Sequence, residues 1–141
     1  MTRPILFLLF LFSFYGSTAQ TGKLVVNIHR IRADKGGDLC TAVFTKGNFP
    51  KTGRQWTGST VTVTNETMQV VFNDLPAGTY AIAAFQDIDR NQKLRTNFIG
   101  FPVEPFGFSR DAKIRFGPPD FDDAKISVEA DHVSTISIHL K

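Results

Sequence analysis

DLPAGTYAIAAF, residues 74–85, holds a corner and a strand side by side. Pro76 and Gly78 interrupt regular structure, and Gly78 allows the backbone the tight path of a corner. Beyond it Tyr80, Ile82 and Ala84 recur with a period of two, the mark of a strand with one face buried. A Tyr at the start of a strand, just past such a corner, can hydrogen-bond back to it, an arrangement found in Greek-key sandwiches. An ordinary core Tyr after an ordinary turn predicts the same strand, so the fold reading does not depend on that bond.

The same period extends in both directions. Leu24, Val26 and Ile28 alternate with Val25, Asn27 and His29; Cys40, Ala42 and Phe44 alternate with Leu39, Thr41 and Val43; and Val61 and Val63 stand between threonines. Met68, Val70 and Phe72 continue the pattern before the corner. Ile126 with Val128, then Ile136, Ile138 and Leu140, resume it near the end. Turn residues separate most of these runs: Lys35-Gly36-Gly37-Asp38, Gly47-Asn48-Phe49-Pro50, Asn65-Glu66 and Ala130-Asp131-His132. About seven short strands without alternating helical segments predict an all-β fold, a single antiparallel Greek-key β-sandwich.

The chain opens with Met1, Thr2 and Arg3, an apolar run from Ile5 to Phe14, and the small residues Ser17, Thr18 and Ala19 before Gln20. This is the layout of a secretory signal peptide, so residues 1–19 are expected to be removed and residues 20–141 to form the domain. About ten apolar residues are too few for a bilayer that needs roughly twenty, which predicts no membrane span after cleavage and a secreted or periplasmic product. Cys40 is the only cysteine, so no disulfide can form within the chain. Its place beside Ala42 and Phe44 predicts a buried, inert thiol on the core face. With 16 Lys and Arg against 13 Asp and Glu, mixed throughout, the sequence has no basic patch of the kind nucleic acid requires.

The β pattern is interrupted from Asp87 to Phe121, a long Phe/Gly/Pro-rich loop before the last two strands. Structureless connections beyond about 12–15 residues are uncommon in compact domains unless they bind something or pack as a lid. Function is therefore expected here. Ordering such a segment requires some of Phe98, Phe101, Phe106, Phe108, Phe116 and Phe121 to point inward. Phe101, Phe108 and Phe121 are expected to pack on the sandwich, and Phe106, between Pro105 and Gly107, to form an exposed tip. Trp56, in a polar connection, is expected to cover a sheet edge.

Three blocks in succession, LPAGTYAIAAFQDIDRNQKL, NFIGFPVEPFGFS and FGPPDFDDA, resemble the bacterial family known as domain of unknown function 2141 over essentially the whole mature chain. The resemblance implies a small exported β-sandwich, similar to transthyretin-like or prealbumin-like domains. It supplies no catalytic residues. It also implies that Asp87, Asp89 and Asn91 match a D-x-[DN]-x-N pattern that in the family often continues through Gly to a further Asp; Gln92 and Arg95 occupy those positions here.

Asp87, Asp89 and Asn91 are spaced as the first oxygen ligands of a calcium loop. Such a loop closes with a bidentate acid about eleven residues after the first, where Phe98 stands, and Gln92 replaces the Gly of its sharp turn. The alternative is a polar turn in which these side chains accept local backbone N–H groups. Among carboxylates, Asp87, Asp89, Glu104 and Asp120 could serve glycoside hydrolysis only at a separation that spacing along a loop cannot establish. Ser109 lacks a nucleophile elbow. His29 and His139 on polar strand faces and His132 in a turn predict solvated or edge histidines. No cofactor is expected, with Ca²⁺ as the exception to test.

The reading favoured by the residues is an exported, non-catalytic binding or accessory module using the Asp87 to Phe121 region. Phe106 beside Arg95, Arg110, Lys113 and Arg115 suits an envelope or extracellular ligand such as a glycan, a peptide or an anionic polymer. The alternatives are a calcium-supported binding module and, more distantly, a carboxylate-dependent hydrolase.

Overall fold

The computed structural model describes residue 16 and residues 18–141; the expected signal segment falls almost wholly outside the described residues. The remainder is an all-β sandwich of eight strands: β1 Thr21–His29, β2 Asp38–Phe44, β3 Thr57–Thr62, β4 Met68–Pro76, β5 Gly78–Asp87, β6 Phe106–Phe108, β7 Ile126–Val128 and β8 Val133–His139. One sheet has the order β4-β1-β8 and the other β3-β2-β5-β6, with β7 also paired to β5. Leu24, Val26 and Ile28 meet Leu39, Val43, Tyr80 and Ile82 between the sheets, joined by Val70, Phe72 and Ile138. Each such side chain contributes roughly 1.5–3 kcal/mol on burial. At the corner, the Tyr80 hydroxyl donates to the Pro76 carbonyl oxygen at 2.6 Å, tying the start of β5 to the end of β4.

Pairing is antiparallel throughout except in one place. β8 runs parallel to β1, with Lys23 opposite Val133 and His29 opposite His139. The reason lies in residues 129–132: β7 pairs with β5 in the second sheet, and this turn carries the chain across to the first. The Asp131 N–H donates to Thr21 O and the Lys23 N–H to His132 O, so the chain enters beside β1 in the same direction. Alternation of side chains is identical in either direction and carries no sign of this.

Two further expectations need correction. The segment from Asp87 to Phe121 is not a structureless loop: it contains β6, which pairs with Ala83 to Phe85, and the short helix α1, Phe121–Ala124. Cys40 lies on the opposite face of β2 from the main core, which takes Leu39 and Val43 instead, and is half-buried. Both faces of this sheet are covered, because Phe44, Phe49, Ala81, Phe108 and Ala124 form a second apolar cluster with Phe106 and Phe121 packed on it. Apolar residues on both sides leave a period of two without a marked inner face.

β6 also pinches the edge of the sandwich. A Cβ on Gly107 would lie 2.7 Å from Ile138 Cγ2 and 3.1 Å from His139 O, so only Gly admits β8 this closely. Backbone bonds between Phe106 and Lys141, at 2.9 and 3.3 Å, close the contact.

Candidate functional site

Where β6 meets the end of β8, the chain encloses a cleft of about 420 Å³. Its apolar wall comes from Phe101, Val103, Phe106, Phe108 and Ile114, while Arg32, Lys113 and Lys141 bring cationic groups to its lining. A mostly apolar hollow with a few convergent polar groups is the usual form of a ligand site. The rings of Phe106 and Phe108 are set edge to face, with centroids 6.2 Å apart, and Phe101 meets Phe106 at 6.5 Å in the same manner. This fixes the wall through aromatic packing.

His139 and Asp111 also line the cleft. Asp111 accepts the His139 backbone N–H at 2.9 Å and faces the ring Nδ1 at 2.8 Å, so an ionised carboxylate sets Nδ1 as the protonated nitrogen. Partial burial would raise the Asp111 carboxyl, but both bonds from His139 and the attraction of His139 and Lys141 outweigh it and hold the group below its ordinary value. Arg110 and Asp111 reach this position through left-handed backbone, with φ of 59° and 49°. Non-glycine residues there cost roughly 1–2 kcal/mol each, which the two hydrogen bonds between Asp111 and His139 help offset. The His139 ring stacks on His29, its partner in the parallel register, at 4.8 Å.

Beside the cleft lies the acidic turn after β5. Asp87, fully buried, accepts the N–H groups of Asn91 at 3.1 Å and Gln92 at 2.6 Å. Asp89 accepts the Asn91 N–H, and Asn91 Oδ1 accepts that of Lys93. Gln92 takes the left-handed φ of 63° that a Gly would adopt without strain. Glu104, only 2 % exposed, arrives from the far side of the segment and accepts Ile88 N–H at 3.0 Å and Arg95 N–H at 2.9 Å. One oxygen from each of Asp87, Asp89 and Glu104 lies within 4.8 Å of the others. Burial pushes the Asp87 carboxyl up, its contact with Asp89 and the Glu104 charge add to this, and the Gln92 and Asn91 N–H groups partly oppose it.

The structure brings some of the expected residues together and separates others. Phe106 is not an exposed tip: it sits in β6, half-buried, because β6 pairs with β5 and turns its ring onto the second cluster. The tip falls instead at residues 97–100, and Phe101, expected to be buried, is more than half exposed. Phe108 and Phe121 do pack on the sandwich, both against Phe49. Arg95, Arg110 and Arg115 are exposed and outside the cleft lining, whereas Lys113 is within it. Arg110 reaches toward the Asp122 carbonyl oxygen at 3.4 Å. Asp120 precedes α1, apart from the other three carboxylates, and Ser109 is a buried latch whose Oγ accepts the Ile82 N–H and donates to Ala124 O. Trp56 is largely exposed just before β3, and its backbone N–H donates to Val43 O. Arg32, Asp111, His139 and Lys141 escape sequence reading because strands distant in sequence bring them to the cleft; only Gly107 hints at a close approach.

An all-β sandwich with a cleft at one edge of its sheets is the class that this geometry defines. The chain belongs to the family described as Uncharacterized protein conserved in bacteria (DUF2141), whose model matches residues 26–136. No curated protein and no solved structure matches it.

Proposed function

We propose that the protein is an exported binding module whose cleft takes a ligand with an anionic group and an apolar or ring face, such as an acidic glycan or peptide of the cell envelope or its surroundings. The observation that carries this reading is the joining of an aromatic wall, Phe101, Phe106 and Phe108, to the cations Arg32, Lys113 and Lys141 in one cleft. Rings supply stacking area, and cations near a partly desolvated wall favour an anion more than they would in open water. The test is a thermal-shift series on the mature protein with acidic and neutral oligosaccharides and peptides. A ligand near a hundred times its Kd stabilises by about 2.7 kcal/mol, and that shift should vanish in Phe106→Ala and weaken in Lys113→Gln. No shift with any acidic ligand, or an equal shift in both variants, defeats the reading.

The convergence of Glu104 on Asp87 and Asp89 favours a second reading, calcium-supported binding, since Glu104 supplies an acid that the sequence lacks at Phe98. Both Asp87 oxygens and Asn91 Oδ1 already accept N–H groups, so an ion must compete with bonds that hold the turn without it. Calorimetric titration should show a Kd of about 10⁻⁴ M or weaker. Micromolar binding abolished by Asp87→Ala would put the calcium reading first.

A further inference from the structure

Residues 95–103 form a small hairpin with an apolar tip. Thr96 and Pro102 pair across it, and the Val103 N–H donates to Arg95 O at 2.9 Å. Asn97 organises the turn: its N–H donates to Phe101 O, its carbonyl accepts Gly100 N–H, and its Oδ1 accepts the N–H groups of Ile99 and Phe101 at 3.1 and 2.9 Å. Gly100, with φ of 82°, makes the reversal. At the tip Phe98 is 99 % exposed and Ile99 73 %, and neither belongs to the cleft lining. Apolar side chains this exposed and contiguous on a soluble domain mark an interaction surface.

We infer that this hairpin seats the protein on an anionic lipid surface, with Phe98 and Ile99 entering the headgroup boundary. Three observations favour lipid over a protein groove. Three of the tip's N–H groups, those of Ile99, Gly100 and Phe101, are bonded within the hairpin, which lowers the cost of bringing the tip out of water as far as the headgroup boundary. No ionisable side chain stands between Arg95 and Glu104, and the Glu104 carboxylate is buried against backbone N–H groups. The exposed Lys93 and Arg95 stand together on the N-terminal side of the base, where they would meet lipid phosphates as the tip enters. This surface goes beyond the cleft reading, and the two can fail separately.

The test is flotation of the mature protein with vesicles of mixed phosphatidylglycerol and phosphatidylcholine, and of phosphatidylcholine alone. Wild type should float with the anionic vesicles and be released by salt. Phe98→Ser with Ile99→Ser, whose melting should change little because both side chains are largely exposed, should lose binding at least tenfold. Lys93→Gln with Arg95→Gln should lose roughly tenfold or more on anionic vesicles and little on neutral ones. Absence of wild-type flotation, or equal flotation by the tip variant, overturns the inference. So does sedimentation showing a dimer that the tip variant abolishes without any vesicle binding, since a second copy would then cover the tip.

Discussion

Glu104→Ala should destabilise the fold far more than the loss of an exposed carboxylate. The side chain is 2 % exposed and makes two charge-assisted bonds, to Ile88 N–H at 3.0 Å and Arg95 N–H at 2.9 Å. Bonds to charged groups contribute roughly 1.5–3 kcal/mol each, so the gross loss is about 3–6 kcal/mol. Two effects reduce it. The Arg95 backbone lies at an exposed position where water can replace the acceptor, and removing the charge relieves its repulsion of Asp87. A net loss of about 2–4 kcal/mol remains, and for a domain of this size that lowers Tm by roughly 6–16 °C. Glu104→Gln should recover only about half, because one N–H would face an amide donor rather than an oxygen. Denaturant unfolding and calorimetry of both variants, against Glu66→Ala at an exposed position as control, give the comparison. Wild-type stability in Glu104→Ala would refute the view that this carboxylate anchors the segment.

Three other outcomes follow from the same structure. Phe108→Ala should cost about 3–5 kcal/mol by opening a cavity against Phe49, while Phe116→Ala, at a fully exposed ring, should stay within about 0.5 kcal/mol; equal losses in chemical denaturation would contradict the packing. Gln92→Gly should be neutral or stabilising by up to about 1 kcal/mol, since relief of the left-handed strain opposes the extra chain entropy of Gly, and a clear destabilisation would show that the Gln92 side chain matters to the turn. Asp111, held below the ordinary carboxyl value of 3.8, contributes stability above that value and loses it as pH falls through the folded pKa. The Tm gap between wild type and Asp111→Asn should therefore be present above that value and close as pH falls below it, and a gap that stays constant through strong acid would contradict the Asp111–His139 pairing.

The strands with strong alternation were legible because local pattern and core coincide. Leu24, Val26 and Ile28 face inward as their period implies, and Tyr80 bonds back to Pro76. β2 was legible as a strand but not in its orientation, since Leu39 and Val43 on one face and Ala42 and Phe44 on the other are both apolar. β6 is too short to show any period, and its place follows from long-range bonds to β5 and Lys141. Without β6, spacing alone places Phe106 at the tip that Phe98 and Ile99 occupy. The acidic turn was legible in Asp87, Asp89 and Asn91; Glu104, its far anchor, had no signal beyond its charge. His139 and Asp111 meet only through the parallel register of β8 and two residues in left-handed backbone, neither of which composition or spacing encodes.

Residue-resolved amide hydrogen exchange of residues 20–141 distinguishes a Phe-rich segment that is built structure, fixing one wall of the cleft, from a mobile one. The Gln86 N–H bonded to Pro105 O, the Ile82 N–H bonded to Ser109 Oγ and the Lys141 N–H bonded to Phe106 O each depend on that segment being in place. They should exchange as slowly as the amides between β1 and β4, because opening them requires the second apolar cluster to come apart. Exchange of the Gln86 and Lys141 amides at the rate of unstructured chain, while β1 and β4 remain protected, would show instead a mobile segment on a stable sandwich, with no fixed wall to the cleft.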